Sequence, residues 1–194
     1  MAPSQLVIFT RSSPEQDRAN LEFHVQPLSL DRFGDPLHRF PAITLSACNL
    51  RPTSRGTIRL RSPDPSAKPR IAPNYLATEE DRLVAADAIR VTRTLMAQPA
   101  TRRFLPDEIL PGPSVGDDQA ALVKAAGDIG TTIFHPVGTA AMGSVVDERL
   151  RVIGLDSLRI IDASVMPTIT SGNTNTPTIM IADEGAEMVR TDRR

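Results

Sequence analysis

Apolar and polar positions alternate in three early stretches of the chain and then change period. In "LEFHVQPLSL" (21–30), Leu21, Phe23 and Val25 alternate with Glu22, His24 and Gln26, which predicts a half-buried strand ended by Pro27. "AITLSACNL" (42–50) and "GTIRLRS" (56–62) repeat the pattern on either side of the turn-rich "RPTSRG", so adjacent antiparallel strands are expected. From Thr78 the period lengthens. Val84, Ala88, Val91 and Leu95 fall 4, 3 and 4 residues apart, and Thr78 with Glu79, Glu80 and Asp81 forms an N-terminal signal, predicting a helix over 79–97. Asp117 or Asp118 starts a shorter helix near 118–127. "LRVIGLDSLRIIDASVMP" (150–167) predicts two short strands about a turn at Gly154. Thr176 and Pro177 then read as cap and first residue of a last helix, with Ile179, Ala182, Ala186 and Val189 on one side. Residues 1–20 are mixed and polar and read as an irregular leader. The fold class expected is α+β, a mixed α/β arrangement of an antiparallel sheet with flanking helices and a returning strand–helix piece.

Composition narrows the functions available. The 194 residues suit one domain or slightly more. Lys and Arg number 22 against 23 Asp and Glu, with no sustained basic block, so no nucleic-acid partner is expected. Cys48 is the only cysteine, which rules out an internal disulfide or a multi-cysteine metal site and fits a cytoplasmic setting. The apolar run Leu6–Phe9 is too short for a signal core or a membrane span. No dinucleotide fingerprint, P-loop, nucleophile elbow or zinc-protease motif occurs.

Two bare stretches carry the candidate chemistry. "FHPVGTAAMG" (134–143) sets His135 among small residues, and "SGNTNTPT" (171–178) sets Asn173 and Asn175 in a tight turn. By spacing alone, His135 fits a packed histidine as well as a base, and both asparagines fit ordinary turn residues. His24, His38 and Cys48 read as structural, and Arg51, Arg55, Arg59 and Arg61 as a solvated strand face.

Three blocks taken in order, "HPVGTAAMG", "LRVIGLDSLRIIDASVMP" and "SGNTNTPTIMIADEGAEMV", resemble the C-terminal signature of the glucose-methanol-choline oxidoreductases. Upstream, "CNLRPTSRGTIRLRSPDP" and "IAPNYLATEEDRLVAADAIRVTR" are similar to that family's substrate-domain strands and helix. These are FAD-dependent dehydrogenases and oxidases of alcohols, choline dehydrogenase among them. One local departure is Ala140–Ala141, where members often carry Cys-Arg.

The resemblance implies a division into an irregular leader (1–20), a substrate-binding domain (21–150) and a returning segment of the FAD-binding domain (151–194). It implies that His135 takes the alcohol's hydroxyl proton while hydride leaves the carbon for flavin N5, and that Asn173 hydrogen-bonds the same oxygen. It places Asp162, Ala163, Asn175, Thr176, Pro177 and Thr178 beside the FAD. The small residues Pro136, Gly138 and Gly172 would let backbone pass close to a flat ring. A small-molecule alcohol is the expected substrate, with the electron acceptor left open and no metal expected. The family's N-terminal FAD-binding glycine motif is absent, so Met1 reads as internal and the FAD-binding half as a missing partner. A hydroxynitrile lyase-like member and an inactive fragment lacking that half are the alternative readings.

Overall fold

The computed structural model describes residues 4–32 and 34–192, and the chain divides into two compact units. The first comprises residues up to 54 together with 75–131, and the second comprises 55–74 together with 132 onward.

In the first unit, β1 (Leu6–Thr10), β2 (Leu21–Gln26) and β3 (Thr44–Asn49) form an antiparallel sheet in that order. Ile8, Phe23 and Ala47 stand abreast, as do Thr10, Leu21 and Asn49. β1 corrects the expectation of an irregular leader. Ile8 packs inward while Leu6 and Phe9 stay more than half exposed, so β1 is a short edge strand whose alternation was hidden in "LVIFT". Between β1 and β2, buried Asn20 closes the loop by accepting from Ser12 N–H (2.8 Å) and donating to Ser12 Oγ (2.9 Å).

The long helix forms as predicted. α1 (Glu79–Met96) has Thr78 as its N-cap, accepting from Asp81 N–H, and packs on β3 and on α3 (Gln119–Ile129), beyond the single turn α2 (Pro99–Arg102). Asp118 caps α3. Leu21, Phe23, Val84 and Ala88 make the core, with Ile8, Leu45 and Val91 around it. One carboxylate pins the chain between sheet and helix. Asp81, 4% exposed, accepts from Asn49 Nδ2 (3.2 Å), Thr53 N–H (2.9 Å) and Ser54 N–H (2.9 Å). Glu22, expected on the polar strand face, is buried, with His24 Nε2 at 3.3 Å from its carboxylate.

In the second unit the predicted strand at 56–62 is shorter and has a different neighbour. β4 (Thr57–Arg59) pairs with β5 (Arg70–Ala72) rather than with β3, because the proline-rich stretch between them folds the chain back on itself. Gly56 permits this closure, since a Cβ there would lie 2.3 Å from the Ala72 carbonyl oxygen. The segment 150–162 makes isolated bridges, Arg151 with Arg159 and Val146 with Val152, instead of two strands. Residues 132–150 belong with the C-terminal segment, against the expected boundary at 150. Val146 and Leu150 share a core with Val165, Met166 and Ile181.

The last helix, α4 (Asn175–Asp192), begins earlier than Thr176–Pro177 predicts. Its first intrahelical bond runs from Thr178 N–H to Thr174 O (3.0 Å), which puts Thr174 at the cap and Pro177 at the third position. The inward face also differs from the predicted one. Ile181 and Gly185 are buried and Met188 packs beside them, whereas Ile179 is 61% exposed. At the far end, Asp192 gathers Arg149, Arg151 and Arg159, and the hydrogen bonds from Arg151 and Arg149 hold its carboxyl far below the ordinary range. Among the described residues no helix is long and apolar enough to cross a membrane.

Candidate active site

The site lies wholly in the second unit, where two loops meet ahead of α4. The loop after α3 carries His135, and Phe134 immediately before it has φ 68°, a left-handed conformation seldom adopted by a bulky residue. Ser171, two residues before Asn173, also has positive φ (62°). Strained backbone thus flanks both candidate side chains, as is common where geometry is fixed for chemistry. The histidine loop is anchored beyond the ring. Gly138 and Ala140 N–H groups donate to Ser164 O (3.1 and 3.0 Å), and Met142 N–H donates to Val165 O (2.9 Å).

Both nitrogens of His135 have partners. Nδ1 lies 2.8 Å from Thr174 Oγ1 and 3.3 Å from Thr174 N, while Nε2 lies 3.0 Å from Asn173 Nδ2. Thr174 is buried at 6% exposure, His135 is half-buried and Asn173 is exposed. The ring is therefore held from its inner side and presents Nε2 outward beside an amide donor.

Of the residues singled out from sequence, His135 and Asn173 are in direct contact. Asn175, Thr176, Pro177 and Thr178 make up the first turn of α4, with Asn175 and Thr176 exposed. Asp162 and Ala163 sit at a short 3-10 turn (Ala163–Val165) that Asp162 caps, accepting from Ser164 N–H (2.8 Å). That turn is the one holding the Gly138–Met142 backbone.

Thr174 is the residue that sequence reasoning missed. Its signal was present in the proline three positions on. A capping threonine normally accepts from the second or third N–H of its helix, and Pro177, at the third position, has none. The Thr174 hydroxyl turns to His135 instead.

Other candidates stay outside the site. His38 stacks on Phe40 with centroids 4.8 Å apart and contacts Ser29 Oγ through Nδ1 (2.8 Å). Burial, and secondarily the Glu22 charge, push the Cys48 thiol up to about 11, which makes it a poor nucleophile. Among the described residues no group of three or more His, Cys, Asp or Glu is placed to hold a metal ion.

Comparison with known proteins gives this geometry a family. The family model for GMC oxidoreductases matches residues 52–182. The chain is 43% identical over 185 residues to an alcohol dehydrogenase [acceptor] of Pseudomonas putida, covering 93% of this chain and 33% of that protein. It is 40% identical over 188 residues to oxygen-dependent choline dehydrogenase 1 of Chromohalobacter salexigens, covering 94% and 33% respectively. Among solved structures, pyridoxine 4-oxidase from Mesorbium loti matches with TM-score 0.86 at 24% identity, over 97% of this chain and 38% of that one. A variant of Aspergillus oryzae RIB40 formate oxidase, a protein described for its FAD modification, matches with TM-score 0.83 at 25% identity, over 91% and 32%. The chain thus spans about a third of the length of these curated relatives. With a family match over more than half its residues and relatives at this level of identity, the chain belongs to the GMC oxidoreductase family.

Proposed function

We propose that this chain carries the proton-handling part of a flavin-dependent alcohol oxidoreductase, with His135 as the base and Asn173 as the donor to the substrate oxygen. The observation that carries this reading is the His135–Asn173 pair, in which Nε2 faces an amide donor at 3.0 Å while the other ring nitrogen is anchored to Thr174. Bound FAD would supply the hydride acceptor. A carbon–hydrogen bond gives up hydride readily only when its oxygen has alkoxide character. His135 Nε2 takes the hydroxyl proton, and the neutral Asn173 amide stabilises the charge developing on oxygen without itself titrating.

The resting geometry has to open for this. Two hydrogen bonds of about 2.8 Å meeting at one tetrahedral oxygen need their nitrogens roughly 4.5 Å apart. The resting pair is 3.0 Å apart, so substrate entry displaces the exposed Asn173 side chain while His135 stays pinned.

The first turn of α4 fits an FAD edge. The N–H groups of Asn175 and Thr176 precede the first intrahelical bond, and Thr174 gives its hydroxyl to His135, so a positive helix end faces outward. This suits an acceptor-rich ring edge. Pro177 and Thr178 shape that turn. Asp162 Oδ1 accepts both bonds from Ser164, leaving Oδ2 for a ribityl hydroxyl near Ala163.

The substrate in this reading is a small-molecule alcohol, supported by the names of the relatives, an alcohol dehydrogenase and a choline dehydrogenase. The partner is a nucleotide-binding portion making up the remaining two-thirds of such an enzyme, in a cytoplasmic setting that the lone cysteine favours. A chimera with this chain in place of the matching third of the Pseudomonas putida relative tests the proposal. Alcohol-dependent bleaching of its flavin is expected, and an FAD-loaded chimera that no alcohol bleaches would refute it.

A further inference from the structure

We propose that the β4–β5 ribbon presents a cationic face, centred on Arg59 and Arg70, that docks this protein on an anionic lipid surface. The inference is independent of the reading of His135 as the base.

The ribbon is amphipathic. Its register sets Arg59 directly opposite Arg70 on one face and Ile58 directly opposite Ile71 on the other. Arg61 and Lys68 lie just past the ladder, each two positions from one of that arginine pair and in phase with it by alternation. All four cationic residues are exposed, and no described carboxylate pairs with any of them. Asp64, the one acidic residue between the strands, instead accepts from Ser66 N–H (2.9 Å) and Ser66 Oγ (2.8 Å) at the turn. Other arginines of the chain are placed the opposite way, for Arg90, Arg93 and Arg159 each meet a carboxylate. Like charges directly opposed across two strands weaken their pairing, and a ribbon of only two strands has little stability to lose. A counter-anion from outside the chain relieves that repulsion.

The size of the face selects the partner. Strands of three residues are about 10 Å long, so the face is far smaller than the roughly 1,200–2,000 Å² that a specific protein interface buries. A lipid surface needs no such area. Anionic headgroups attract a cluster of four Lys and Arg charge by charge, each contributing about a fivefold factor in binding. The formal charge of the whole chain is −1, so the attraction comes from this face and not from the protein at large. Ile58 and Ile71, each more than half exposed, lie on the opposite side, where packing against the rest of an enzyme leaves the cations in solvent.

The test is co-sedimentation of this chain, and of the FAD-loaded chimera, with two kinds of vesicle at low and high salt: phosphatidylcholine alone, and phosphatidylcholine with about 30 mol% phosphatidylglycerol. Native protein should prefer the anionic vesicles and leave them at high salt. Arg59→Gln/Arg70→Gln should weaken that binding about 10–30-fold, whereas Arg59→Lys/Arg70→Lys keeps the charge and should retain it. Arg102→Gln/Arg103→Gln removes two exposed charges at the end of α2 and should leave binding unchanged. Equal binding to both kinds of vesicle overturns the proposal, as does native binding by Arg59→Gln/Arg70→Gln or an equal loss in Arg102→Gln/Arg103→Gln. A chimera that ignores anionic vesicles overturns it too, and leaves the face to an acidic protein. Binding is read without turnover, so its failure is distinct from failure of the alcohol-oxidoreductase reading.

Discussion

At Asn173 an exposed amide rests 3.0 Å from the base it is proposed to assist. In the mechanism proposed above it acts in the transition state, donating to an oxygen gaining charge. Asn173→Ala in a flavin-loaded enzyme should therefore lower kcat about 10²–10³-fold, the usual effect of losing one oxyanion donor. Stopped-flow bleaching checks this, and an unchanged rate would remove Asn173 from the chemistry. Cys48 gives a second prediction. With its thiol pushed up to about 11 by burial and the Glu22 charge, it stays protonated at neutral pH and alkylates far more slowly than a free thiol. Iodoacetamide labelling followed by mass should be slow at neutral pH, speed up about tenfold per pH unit, and level off only near pH about 11, well above where a free thiol does. His135 and Asn173, which the structure brings into contact, could be singled out because flanking blocks resemble a family signature, whereas Thr174 was hidden. Its contact with the ring is visible only when helix register, a missing proline N–H and a ring nitrogen are seen together.

Among the elements, α1 and α3 followed from periodicity and caps, since their buried faces are ordinary apolar residues. α4 did not. Its inward face runs Ile181, Gly185, Met188, and a glycine carries no apolar weight in a periodic pattern even where it is the point of closest packing. A Cβ on Gly185 would meet Ile161 Cγ2 at 2.5 Å and Leu150 Cδ1 at 3.2 Å. Gly185→Ala gains about 1 kcal/mol in helix propensity. Overpacking costs about 1–3 kcal/mol, and the β-branched Ile161 yields poorly, so a net loss of about 1 kcal/mol is expected in urea denaturation. β1 eluded the pattern, and β4 was found by it but with the wrong neighbour, because each is short and neighbouring loops choose its partner. The loop from β3 to α1 depends on Asp81. Burial raises its pKa, yet hydrogen bonds from Ser54 and Thr53 outweigh that and leave it lowered. A lowered carboxyl stabilises the fold above its unfolded pKa and loses that contribution as pH falls through the folded value. Asp81→Ala should cost about 2–3 kcal/mol near neutral pH and should blunt the acid limb of the stability profile, which thermal melts at several pH values can follow.

For the molecule as a whole, each unit shows apolar side chains that its own core does not cover. In the second unit, Ile153, Leu155, Ile179 and Met180 are each more than half exposed. The chain spans about a third of its curated relatives, and such surface suits contact with the rest of an enzyme of their kind. The isolated chain should accordingly bind a hydrophobic dye, tend to associate, and hold FAD weakly. Monodisperse protein retaining stoichiometric FAD unaided would contradict this.

The most direct measurement is rapid mixing of alcohol with the FAD-loaded chimera in native and His135→Gln forms, followed by flavin absorbance across pH. Native protein should bleach near neutral pH. His135→Gln should bleach about 10²–10⁴-fold more slowly, recovering as solvent hydroxide replaces the lost base. A His135→Gln chimera bleaching at the native rate across the whole range would contradict the assignment of His135 as the proton acceptor.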